Sequence, residues 1–304
     1  MACLHAYYDT RYSPITFDYA NFLVCADAYR QSLEFSNIHL HIVAPDFRSA
    51  TPRDIALDVG EKSWRVSHIL SRLPILMPSV TDITINREPP DSVFCHSFPD
   101  LYPPRSLSER IKVTPYSMKH VNTYYGLGCK VQPFQPSAYA AEQIKRRIGE
   151  DPYYTISLRT SHFQKARNSN LSEWYKAYEI LIKKGHKVIV IPDFEDAMAE
   201  RVSWEFNWEL AEYATFELDL RMALYENAID NLCVNNGVAA ILYYSSAPLK
   251  MFKMLVDGIS TTTEKHLKTH TNLSKGESPI FCNQRQKWVW ELDTVSNILN
   301  QINI

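Results

Sequence analysis

The sequence predicts an α/β fold of two Rossmann-like α/β domains facing each other across a cleft. Three observations predict it. Short apolar runs alternate with stretches of helical apolar spacing, which is the signature of βαβ units and parallel sheets. The alternation occurs twice, on either side of a proline-bearing middle over 101–139. The chain, at 304 residues, is long enough for two such domains, placed at 1–135 and 136–304.

Taken in order, "CLHAYY" reads as the first strand. "SPITFDYANFLVCADAYRQSLEF" follows as a helix, with Phe22, Leu23, Ala26 and Tyr29 on one stripe. "NIHLHIVAPD" is a strand, "GEKSWRVSHILSRLPILM" a helix, "VTDITIN" a strand and "DSVFCHSF" a further strand. The stretch from Leu101 to Tyr139, with prolines at 103, 104, 115, 133 and 136, reads as irregular connection. "AYAAEQIKRRIG" then opens the second block as a helix. "PYYTISLRT" is a strand ending at Arg159, and "LSEWYKAYEILIKKG" an amphipathic helix capped at Asn170 or Ser172 and closed by Gly185. "HKVIVIPD" is a buried strand ending at Asp193, and "DAMAERVSWEFNW" and "ELDLRMALYENA" are helices. "NLCV" is a strand that meets a helix at Asn235-Asn236-Gly237, "LKMF" a strand, and "QKWVWELDTVSNILNQI" a short strand and closing helix.

Composition narrows the function. A net charge of −2 speaks against a nucleic-acid partner. With 8 glycines against 18 tyrosines and 13 phenylalanines, a glycine-rich phosphate loop is not the expected device. The N-terminus has no basic and apolar leader pattern, and no run is apolar and long enough to span a membrane, so a cytoplasmic location is expected and peripheral membrane contact stays open. Six scattered cysteines without a C-x-x-C pair fit reduced thiols better than disulfides or a zinc site.

Open α/β sheets bind ligands at the carboxyl ends of their strands. The residues there are Asp9, Asp46, Arg159, Asp193 and Asn235. The richest cluster is "SLRTSHFQKARNSN", which brings Arg159, His162, Lys165, Arg167 and Asn168 to one strand end, ahead of a helix N-terminus. Cationic forks and a helix dipole suit an anion such as phosphate; a solvated basic loop uses the same residues. "CVNNGVAA" offers Asn235 and Asn236, which tolerate left-handed geometry, and Gly237, Val238 and Ala239, whose amides are free at a helix start; the same residues make a plain helix cap. Together the two stretches predict a diphosphate pocket, with the turn at the interdomain cleft and the amides of Gly237 and Val238 facing the basic loop. Asp193, Glu217 and Asp219 are ribose-contact candidates that serve equally as caps. Asp9, Arg11, Ser13 and Asp18 lie between the first strand and first helix, where Asp18, or less favourably Asp9, suits a general base. His39 and His41 share one face of a strand, but no third ligand follows at metal spacing, so packing or hydrogen bonding is expected and no metal site is assigned. No D-x-D signature stands at a strand end, so a metal-dependent mechanism on a GT-A fold has no support.

The C-terminal half resembles sugar-nucleotide glycosyltransferases of GT-B architecture, most of all the ADP-heptose:lipopolysaccharide heptosyltransferase type and more loosely the fucosyltransferases. The resemblance rests on "YYTISLRTSHFQKARN", "LSEWYKAYEILIKKGHKVIVIPD" and, best, "LDLRMALYENAIDNLCVNNGVAAILYYSSAPLKMF". The opening "SPITFDYANFLVCADAYR" is similar to uncharacterised bacterial glycosyltransferase-like proteins. The resemblance implies donor contacts at Arg159, Lys165, Arg167, Asn235, Asn236 and Gly237. It departs where heptosyltransferases carry a Gly-Asp turn after their first strand; "TFDYANF" stands there instead.

The expected activity is metal-independent, inverting transfer of a sugar from a nucleotide-sugar to an acceptor hydroxyl in bacterial surface-glycan synthesis, without a cofactor. The partners are the nucleotide-sugar and a glycan or lipid-linked acceptor. Two competitors remain: a nucleotide-sugar epimerase or hydrolase on the same fold, and a nucleotide- or sugar-binding module without chemistry.

Overall fold

The structure, a computed structural model, describes residues 2–44, 57–88, 100–104 and 117–304. The expected strand "DSVFCHSF", Asp46, Cys95 and Pro115 lie outside the described residues. The chain divides into two compact units, Met1–Phe134 and Gln135–Ile304.

In the first unit, β1 (Cys3–Asp9), α1 (Tyr19–Ser32), β2 (Asn37–Val43), α2 (Val59–Arg65), β3 (Val80–Asn86), β4 (Leu101–Tyr102) and α3 (Met118–Gly126) follow in order. The strands form a sheet in the order β3-β2-β1-β4, and every pairing is parallel. Alternation along β1 sets its two faces. Tyr8 turns toward α1, its ring 4.3 Å from Tyr19 and 5.0 Å from Phe22 between centroids. His5 and Tyr7 stand on the other face with His39 and His41 of β2. All residues of α1 from Tyr19 to Tyr29 are buried, which accounts for its near-continuous apolar reading.

Three expectations in this unit need correction. The first helix starts at Tyr19 rather than Ser13, because residues 10–18 turn tightly: Ser13 N donates to the Asp9 carbonyl (3.0 Å) and the Tyr8 hydroxyl to that of Pro14 (2.6 Å). The helix expected over 60–77 is broken into α2, a wide turn at Val66–Leu70 and a tight turn at Leu73–Leu76. Pro74 lacks the N–H a continuous helix needs. The irregular middle contains α3, capped by Ser117, whose side chain accepts from Lys119 N.

The second unit runs α4 (Ala138–Ile148), β5 (Tyr153–Ser157), α5 (Leu171–Lys183), β6 (Lys187–Ile191), α6 (Tyr213–Phe216), α7 (Leu218–Asn227), β7 (Asp230–Val234), α8 (Ala240–Tyr243), β8 (Leu249–Phe252), α9 (Glu264–Thr271), β9 (Gln286–Trp288) and α10 (Val295–Gln301). Its sheet, β6-β5-β7-β8-β9, is parallel throughout. β5 and β7 are buried along their whole length, as central parallel strands must be. The core is built from Ile156, Trp174, Leu232, Val234 and Phe252, with Trp174 edge-on to Phe252 at 5.7 Å.

The helix expected over 196–208 is broken into a wide turn at Asp196–Glu200 and a tight turn at Val202–Glu205. Buried Asp196 accepts the Ser203 amide with both carboxylate oxygens (3.1 and 3.2 Å), and Arg201 turns left-handed at φ 51°. A short polar side chain that captures a nearby amide competes with helix formation. Conversely, α9 went unforeseen; Thr263 caps it by accepting from His266 N. Among the described residues no helix is long and apolar enough to cross a membrane, and the five described cysteines are free thiols.

Candidate functional site

Four strands of the second sheet end on one edge and deliver Arg159, Asp193, Asn235 and Lys253 just beyond their carboxyl ends. This is where such sheets carry ligands. The loop between β5 and α5 and the turn after β7 meet there. Arg167 joins them, its guanidinium donating to the Gln164 side chain (2.9 Å) and to the Asn235 carbonyl (3.0 Å).

Arg159 does not offer its fork outward. It is 7% exposed, and its guanidinium donates to the carbonyls of Gln164 (3.3 Å) and Phe163 and to the Asn168 side chain. Burial lowers the guanidinium from its ordinary value, against the opposing charges of Asp193 and Glu195. The expectation that Arg159 grips the ligand directly is therefore corrected: it holds the loop that carries the other donors. Asn168 is equally occupied, accepting from Arg159 and donating to the Ser161 carbonyl (3.0 Å). This internal clamp lets Gln164 adopt φ 54°, a left-handed geometry that a non-glycine residue keeps only under constraint.

The helix dipole of α5 is also already used. Buried Asp293 accepts from Asn170 N (2.8 Å) and from the Trp174 indole (2.9 Å), placing its own carboxylate at that N-terminus. Lys253, left-handed at φ 62°, donates to the Asn168 carbonyl (2.6 Å) and lies 3.7 Å from Asp293. Neither Lys253 nor Asp293 figured among the expected residues. Lys253 was discoverable, because it stands directly after the strand "LKMF"; nothing local marks Asp293.

Asp193 is a positioning carboxylate. It accepts from Thr160 N (2.9 Å) and Phe194 N (2.8 Å), tying β6 to the basic loop. Burial pushes its carboxyl above the ordinary 3.8, and those amides with the Arg159 and Arg221 charges pull it part of the way back. A raised carboxyl holds its proton more tightly in the folded state. Its contribution to stability therefore grows as pH falls through the folded value toward 3.8 and is lost as pH rises. Between about pH 7 and about pH 4, urea unfolding should move in favour of the wild type relative to Asp193→Asn; a pH-independent difference contradicts this.

The turn after β7 departs from expectation in its backbone. Asn235 and Asn236 are not left-handed; Asn236 is extended at φ −140° and its side chain caps the turn by accepting from Ala239 N (2.9 Å). The amides of Gly237 and Val238 find no acceptor among the described residues, and Gly237 is exposed. Lys165 is exposed and its ammonium makes no bond to the described residues. His162 is exposed too, with Nε2 2.8 Å from Glu200 and its amide on Glu195. Glu217 is half-buried at the N-cap of α7 without a capping bond, whereas Asp219 accepts from Ser137 N (2.8 Å) and Oγ (2.6 Å) and is a cap contact. Among the described residues the donors left for an anion are thus Lys165 and the two turn amides.

In the first unit, Asp9 is engaged by Arg11, whose Nε reaches both carboxylate oxygens at 3.0 Å and whose Nη2 reaches one at 2.6 Å. That pairing occupies both carboxylate oxygens. Asp18 is half-buried beside α1 and accepts from Thr16 Oγ1 at 3.1 Å. The expectation that His39 and His41 lack a third partner is overturned. β1 brings His5 alongside them, and ring nitrogens of all three lie within 4.8 Å of one another.

No protein-family model and no curated protein sequence matches the chain. Solved structures do. The E. coli ADP-heptose LPS heptosyltransferase II superposes with a TM-score of 0.54 over 100% of this chain and 98% of that one, at 14% identity. The chain has the GT-B glycosyltransferase fold. A second structure, the glycosyl transferase family 9 protein of Veillonella parvula, agrees at a TM-score of 0.54, 9% identity, and 82% and 80% coverage of the two chains. At these identities the likeness is one of fold, and it places the basic loop and the Asn235 turn in the C-terminal α/β unit of a GT-B chain.

Proposed function

We propose that the protein is a glycosyltransferase that moves a sugar from a nucleotide-sugar to an acceptor hydroxyl, with inversion and without a metal at the transferred group. The observation that carries the reading is the Arg167–Asn235 bond, which joins the basic loop to the turn with two free amides on the carboxyl edge of a GT-B sheet. Lys165, Arg167 and the amides of Gly237 and Val238 stabilise the leaving diphosphate as its charge develops. Glu217 is the remaining carboxylate for the nucleoside ribose. The unit 1–135 is the acceptor side and 136–304 the donor side. Asp18 takes the acceptor proton, since both oxygens of Asp9 are held by Arg11. A cytoplasmic enzyme of bacterial surface-glycan synthesis, with a glycan or lipid-linked acceptor, fits the likeness to the E. coli ADP-heptose LPS heptosyltransferase II.

A panel of nucleotide-sugars assayed for nucleoside diphosphate release tests this. Release that requires an acceptor supports transfer. Release without one indicates a hydrolase, and binding without release a non-catalytic module. Lys165→Ala should weaken nucleoside diphosphate binding by about 10- to 100-fold, the worth of one charged hydrogen bond, with an unchanged urea midpoint. Unchanged affinity would remove Lys165 from the site.

A further inference from the structure

The geometry points to a second site in this protein: a divalent transition-metal site formed by His5, His39 and His41 on the sheet face of the N-terminal unit opposite α1. The parallel register pairs His5 with His39 and Tyr7 with His41. His39 and His41, two residues apart, project to the same side. The rings crowd together, with centroids 4.1 Å apart for His39–His41, 5.3 Å for His5–His41 and 5.4 Å for His5–His39.

The ring nitrogens converge on one another, within 4.8 Å for all three residues. His41 Nδ1 lies 2.8 Å from Thr84 Oγ1 and its Nε2 lies 3.0 Å from His5 Nδ1. If Nδ1–H donates to Thr84, the Nε2 lone pair faces His5, and the threonine fixes the tautomer as outer partners of metal-binding histidines do. His39 Nε2 is buried and has no hydrogen-bond partner among the described residues. A buried polar atom of this kind calls for an explanation, and a bound ion is one.

Tetrahedral zinc at about 2.0–2.1 Å from each nitrogen needs ligand separations of roughly 3.3–3.4 Å. Nitrogens within 4.8 Å of one another reach this by small side-chain rotations. Three imidazole nitrogens suit zinc and its neighbours in the first transition row over magnesium or calcium. Because the ligands come from β1 and β2, the ion would clamp the two strands and stabilise the unit in proportion to its occupancy.

The untagged chain, stripped with a chelator and titrated with zinc alone, should bind one equivalent and melt at a higher temperature; cobalt(II) should give the intense visible bands of a low-coordinate site. His39→Gln should weaken zinc binding by more than about 100-fold, and Thr84→Val by roughly 10- to 100-fold as an outer-partner loss. His266 and His270 on α9, with rings 4.2 Å apart, are the obvious decoy, and His266→Ala with His270→Ala should leave the site intact. The assignment is overturned by a wild type that takes up no zinc, by His39→Gln binding as tightly as wild type, or by loss of binding in the α9 double variant. The wild-type stoichiometry and cobalt spectrum decide the matter even if a strand variant folds poorly.

Discussion

Arg159→Ala should lose donor binding and stability together, although Arg159 offers its guanidinium to the loop and not to the ligand. Its head is spent on the Gln164 and Phe163 carbonyls and the Asn168 side chain, all within ten residues of Arg159 itself. Removing it strands those part-buried acceptors and frees Gln164 to leave φ 54°. We expect a destabilisation of about 2–4 kcal/mol, the range for breaking a buried hydrogen-bonded network. Nucleoside diphosphate affinity should fall by about 10- to 100-fold, because Lys165 and Arg167 ride on the same loop. Arg159→Lys should recover little of either, since a point ammonium cannot span three acceptors as a planar fork does. Lys165→Ala, by contrast, should lose affinity alone. Calorimetric binding of a nucleoside diphosphate and urea unfolding of the three variants separate the roles. An Arg159→Ala protein with wild-type stability and lost binding would return Arg159 to direct ligand contact.

The contrast between Arg159 and Lys165 shows where sequence reasoning stops. Both are cations in one strand-end loop, and spacing cannot say which turns inward. Strand positions were legible because periodicity and the parallel-sheet rule act locally: β7 and β8 end with their apolar runs at Val234 and Phe252, while β5 and β6 end at Ser157 and Ile191, two residues before the expected Arg159 and Asp193. The breaks were harder. The helix over 60–77 was read straight through Pro74, and the turn at Arg201 depends on Asp196 reaching the Ser203 amide, which no pattern announces. The third histidine was invisible for the same kind of reason. His5 meets His39 only through a register between strands more than thirty residues apart, and register is set by the whole sheet. For Asn236 the sequence left a left-handed turn and a plain helix cap open, and its extended backbone with a bond to Ala239 N is the cap.

Asp293→Ala should be among the most destabilising single changes in the second unit, by about 3–5 kcal/mol. The carboxylate is 3% exposed and lies more than a hundred residues from the groups it serves. It accepts from the Asn170 amide and from the indole of Trp174, the largest fully buried side chain. Truncation leaves the buried Trp174 indole and the part-buried Asn170 amide without this partner and removes the negative charge from the start of α5 and from beside Lys253. Lys253 holds the Asn168 carbonyl, so the damage should extend to the basic loop. Asp293→Asn keeps an acceptor oxygen but not the charge, and should fall between alanine and wild type. Urea unfolding followed by tryptophan fluorescence measures the order. If alanine lies within about 1 kcal/mol of wild type, water has replaced the carboxylate, and the link from α5 through Lys253 to the loop is not a source of stability.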